Sequence, residues 1–68
     1  MEMITAERLE ERARDDMRHA LDRIALATSE RAKARHIRRL NVAASRMQHA
    51  RACIRALSAE IVAAARGL

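Results

Sequence analysis

Sixty-eight residues with a formal net charge of +5, no aromatic side chain and a single cysteine exclude several kinds of protein at once. A chain this short holds one domain at most, and without the rings that usually anchor a small core it buries too little surface to be comfortably stable alone. No internal disulfide can form, and no apolar run reaches the length of a membrane span or a signal-peptide core, so a soluble cytoplasmic protein without membrane contact is expected.

The composition is rich in Ala, Arg, Leu and Glu, with no proline and one glycine, Gly67. That favours long helices over sheets. The periodicity predicts a first helix over about residues 6–27. Thr5 is the expected N-cap, with Glu7, Glu10 and Glu11 at the positive end of the helix dipole and Ile4 and Leu9 at staple positions. Its apolar stripe runs Ala6, Leu9, Ala13, Met17, Ala20, Leu21, Ile24 and Ala27.

A second helix is predicted over about residues 30–66. Leu40, Met47, Ile54, Ile61 and Leu68 stand seven apart, and Ala43, Ala50, Leu57 and Ala64 follow the first four by three. This is an a/d heptad pattern. The two stripes are out of phase: Ile24 to Leu40 is about 160° around a helix, so one straight helix would put them on nearly opposite faces. A bend resolves the conflict. Thr28-Ser29 is the best local candidate because either hydroxyl can cap a new helix; Asn41 is the second candidate, and an unbroken helix is the third possibility.

The fold expected is therefore all-α: a single domain, residues 1–68, forming an antiparallel two-helix hairpin with its turn near residues 27–30. It dimerises, most simply as a four-helix bundle. Leu40, Met47, Ile54, Leu57 and Ile61, with Leu9, Met17, Leu21 and Ile24, are assigned to the core. Ala52, Ala56, Ala59 and Ala63 form a small-residue stripe on another face of the second helix, expected to allow close packing across the dimer.

Charge is divided unevenly. Residues 1–27 hold seven acids and five bases; residues 28–68 hold two acids and nine bases. Folding back would lay an acidic helix along a basic one, so part of the charge is expected to serve the fold. The densest stretch is SERAKARHIRRL, where Arg31, Arg35, Arg38 and Arg39 recur at helical spacing and form one band. A band of this kind suits phosphate or carboxylate.

Catalytic constellations are poor. Asp15 and Asp16 are adjacent and so point about 100° apart on a helix. Ser45 and His49 stand at i, i+4 without an evident oxyanion hole or acid to orient the ring. His49 and Cys53 have the spacing of a two-ligand metal half-site, but no second pair is near in sequence. No glycine-rich phosphate loop exists. No enzyme, no metal, no cofactor and no small-molecule substrate is expected.

Two binding readings remain. The favoured one is a small regulator that sequesters or inhibits a protein partner, using Leu26 near the turn together with Arg31, Arg35, Arg38 and Arg39. The alternative is RNA or DNA binding through the arginine band alone, by backbone and shape, since base stacking has no aromatic platform. A membrane surface is disfavoured because the band lacks a bulky apolar face of its own.

Overall fold

The structure is a computed structural model that describes residues 1–67. Two helices, α1 (Met3–Leu26) and α2 (Glu30–Arg66), pack against each other as a hairpin. The order is antiparallel: Leu9 of α1 lies near His49 of α2, while His19 lies near Arg35. The molecule is a rod, 59 × 15 × 13 Å.

The turn forms at Ser29, whose hydroxyl accepts a hydrogen bond from the Ala32 amide at 3.2 Å and caps α2. Glu30 follows in the first turn, where the helix dipole favours an acid. Ala27 and Ser29 are both extended (ψ 132° and 152°), and no residue has a positive φ. The chain reverses through negative-φ conformations open to any residue, which is why neither glycine nor proline marks the bend. Asn41 does not interrupt α2; it is exposed on a continuous helix.

At the other end, α1 begins before the expected start. Glu2 is the N-cap residue, and its carbonyl accepts from the Ala6 amide at 3.0 Å, so Thr5 lies inside the helix and caps nothing. Ile4 and Leu9 then no longer occupy staple positions. The extra turn continues the half-buried series of α1. Met3 is half-buried and stands seven residues before half-buried Glu10, extending the heptad one more step.

Heptads in both helices set the seam. Ala6, Ala13 and Ala20 are buried on α1, and Ala43 and Ala50 on α2, at 3% exposure or less. Each helix has only the other to cover it. Methyl groups let two backbones approach closely, but each contributes only roughly 0.8 kcal/mol. Among the described residues no side chain larger than alanine is fully buried.

Beside the alanines runs a second series. Met3, Glu10, Met17 and Ile24 on α1, and Lys33, Leu40, Met47 and Ile54 on α2, also stand seven apart and are all half-buried. Exposed Leu21 and Ile37 border them. Of the residues assigned to a core, Met17, Ile24, Leu40, Met47, Ile54 and Leu57 are thus half-covered by the hairpin. Leu9, Leu21 and Ile61 lie on its surface. They fall there because the alanines, which share the stripe, take the position nearest the partner helix.

Helix α2 is 37 residues long against 24 for α1. The difference is about 20 Å at 1.5 Å per residue. Residues 58–67 are all exposed, including Ile61 and Val62. Ala52, Ala56, Ala59 and Ala63 are exposed too, at positions opposite the seam, and take no part in packing within the chain. Leu68, the last member of the Leu40 series, lies outside the described residues. No helix among those described is long and apolar enough to cross a membrane.

Candidate functional site: a basic groove between the helices

One long side of the hairpin carries two adjoining recesses. The first, about 450 Å³, is lined by Asp16, His19 and Ala20 of α1 and by Arg35, His36, Arg38, Arg39, Val42, Ala43 and Arg46 of α2. The second, about 610 Å³, is lined by Leu9, Arg12, Ala13 and Asp16 and by Ser45, Arg46, His49 and Ala50. Asp16 and Arg46 belong to both, so the recesses form one groove.

The lining has two layers. Its floor is apolar: the seam alanines, with Leu9 and Val42 exposed beside them. Its rim is cationic, with five arginines (Arg12, Arg35, Arg38, Arg39 and Arg46) against one acid, Asp16. Among the described residues none of these arginines forms an ion pair. The three pairs present are Arg14–Glu10 at 2.8 Å, Arg51–Glu10 at 3.3 Å and Lys33–Glu30 at 3.6 Å.

The acidic helix therefore does not neutralise the basic stretch. Only Arg51–Glu10 links the helices, and the Met17–Leu40 side holds it, away from the groove. The reason is angular. Glu11, Asp15 and Asp22 sit near the back of α1, opposite the alanine seam, where they cannot reach α2. The basic band keeps its charge.

Three of the four arginines singled out by spacing, Arg35, Arg38 and Arg39, line the groove together. Arg31 is exposed one turn nearer the hairpin bend, outside the lining. Leu26 is 75% exposed at the end of α1, also outside it. Spacing within α2 alone missed the α1 contribution, Arg12, Asp16 and His19. It also missed His36, although the signal was there: His36 stands seven residues before Ala43 and fourteen before Ala50, so it continues the seam series.

That position gives His36 an unusual environment. Its Nδ1 atom is buried and has no hydrogen-bond partner. Burial holds its pKa below the ordinary histidine value of 6.5, reinforced by the charges of Arg35, Arg39 and Arg23 and by His19. The imidazole is neutral near pH 7, set among cations.

Other chemistry is sparse. The His49 ring contacts Cys53, with Nε2 3.7 Å from Sγ, rather than Ser45. No group of three or more His, Cys, Asp or Glu among the described residues is placed to hold a metal ion. Comparison with protein-family models, curated proteins and solved structures gives no match.

Proposed function

We propose that this chain is a non-enzymatic regulator that pairs with a second copy of itself and acts by holding another protein. The observation that carries the reading is the pair of unlike open faces on one hairpin. One is apolar, with Met17, Ile24, Leu40, Met47 and Ile54 half-buried and Leu21 and Ile37 exposed. The other is the basic groove.

The apolar face suits a second hairpin. The chain exposes 5502 Å². A compact monomer of 7.7 kDa would expose about 4,300 Å². The excess of about 1,200 Å² is larger than the roughly 800 Å² per partner that a standard interface removes. Two hairpins joined through this face make a four-helix bundle with alanine seams inside each hairpin and larger side chains between them. Ile61, in register with Leu40, Met47 and Ile54, extends that face along the overhanging end of α2.

Pairing in this way leaves both grooves pointing outward, free for another molecule. The favoured occupant is a protein because the groove floor is apolar and a phosphate backbone would leave it wet. A second reading, RNA or DNA binding, draws on the unpaired Arg35, Arg38, Arg39 and Arg46. Salt separates the two. Protein binding persists at moderate ionic strength and weakens when Leu9 or Val42 on the groove floor is made polar. Nucleic-acid binding collapses steeply with salt and ignores those changes. A purified protein that carries bound nucleic acid at low salt and sheds it at high salt contradicts the protein reading.

A further inference from the structure

We infer that the groove is built to receive one acidic amphipathic helix of a partner protein, laid along the hairpin. The inference rests on the protein-binding reading and names the chemistry of what binds.

Three features of the groove converge on this occupant. The first is charge: five arginines face one acid, and none of the five is paired within the described chain. Unpaired cations on both walls call for carboxylates on both flanks of the ligand. The second is the floor. Leu9 and Val42 are 41% and 50% exposed amid alanine methyls, and only an apolar stripe would cover them. Placing an apolar stripe between two acidic flanks is what an amphipathic helix with period 3.6 does. The third is shape. From Arg35 to Ala50 the groove follows sixteen residues of α2, about 22 Å, which matches roughly four turns of a docked helix.

His36 lies on the same wall of the groove. Its shielded Nδ1 lacks a partner at the groove wall, and the groups around it, Arg35 and Arg39 on α2 and Arg23 and His19 on α1, are cationic or basic. Asp16 is the one acid in the lining. A ligand carboxylate entering here meets the guanidiniums of Arg35 and Arg39 and offsets the local positive charge. A nucleic-acid backbone matches the rim but has no group for the floor, and is the competing outcome of the test.

The test uses the full chain and three labelled probes. One is a synthetic helical peptide of about four turns with leucines on one face and glutamates on the other. The second is a scrambled peptide of the same composition without an apolar face. The third is a short RNA or DNA duplex. Fluorescence anisotropy is read for the wild type, for Arg38→Glu/Arg39→Glu and for Val42→Asp. The milder Arg38→Gln/Arg39→Gln serves if the charge reversal perturbs helicity.

The amphipathic peptide should bind at least about tenfold tighter than its scramble, and each variant should lose about tenfold or more. Equal affinity for both peptides, or no binding of either, overturns the inference. Duplex binding without peptide binding overturns it together with the protein reading. If a purified protein partner binds the wild type and the arginine variant alike, the protein reading stands and the groove is not its site.

Discussion

The two long faces of this hairpin differ in what α2 contributes to each. On the apolar face, heptad spacing brings Leu40, Met47 and Ile54 beside Met17 and Ile24, and the sole inter-helix ion pair among the described residues, Arg51–Glu10, sits at its edge. On the groove face, the same helix presents Arg35, Arg38, Arg39 and Arg46, with Asp16 the one acid in the lining and no ion pair to any of them among the described residues. A single helix thus separates an apolar face from a cationic one by angle alone. The alanine seam makes the separation possible, since five methyl-sized contacts hold the helices close while nearly every larger side chain is left for one open face or the other.

The largest way to break that division is to charge the cohesive face. Leu40→Asp removes an apolar side chain worth about 1.5–3 kcal/mol when buried and places a carboxylate where a second copy would pack. Loss of the dimer and a large drop in thermal stability are expected, read by light scattering and circular dichroism. Ile54→Asp should act the same way. Next is the seam. Ala13→Leu puts a large side chain where 2% exposure leaves no room. Overpacking there should cost about 1–3 kcal/mol in urea unfolding. Smaller again is the turn. Ser29→Ala deletes the cap to Ala32, for an expected cost of about 1 kcal/mol.

The groove face should behave oppositely. Arg38→Glu/Arg39→Glu changes exposed side chains without ion pairs. Stability should stay within about 0.5 kcal/mol of the wild type, while binding is lost. His36 gives the subtlest effect. Its folded pKa lies below the unfolded value, so folding prefers the neutral ring. That contribution is complete above about pH 6.5 and fades as pH falls through that value towards the folded pKa. The urea midpoint of the wild type should therefore fall more on acidification than that of His36→Gln. Equal acid sensitivity would show that the ring is not disfavoured in its charged form.

How much of this was legible before folding depends on what each feature needs. The hairpin was legible because the phase conflict between Ile24 and Leu40 is a property of one chain. Ser29 was legible because capping is local. The first residue of α1 was not, since Glu2 caps it through the backbone carbonyl and makes no side-chain cap bond that its residue type would announce. Nor was the ordering within each stripe. Ala13 and Leu9 share a helical face, and only the partner helix decides that the alanine is buried and the leucine left at the groove. The groove itself was half legible. Arg35, Arg38 and Arg39 announce a band from spacing alone, whereas Asp16, His19 and Arg12 join it only across the seam. The fate of the α1 acids was legible only in part for the same reason: Glu10 reaches Arg51, as an acidic helix laid on a basic one implies, but net charge per segment says nothing of angle, and Glu11, Asp15 and Asp22 lie on the far side of α1.

The central claim is that assembly and binding occupy different faces. It is tested most directly by the light-scattering mass of three proteins at one concentration: the wild type, Leu40→Asp and Arg38→Glu/Arg39→Glu. Twice the chain mass is expected for the wild type and for the arginine variant, with Leu40→Asp failing to reach it. A wild type that is fully helical at the single-chain mass, or a dimer that the arginine changes dissociate and Leu40→Asp does not, would contradict the account.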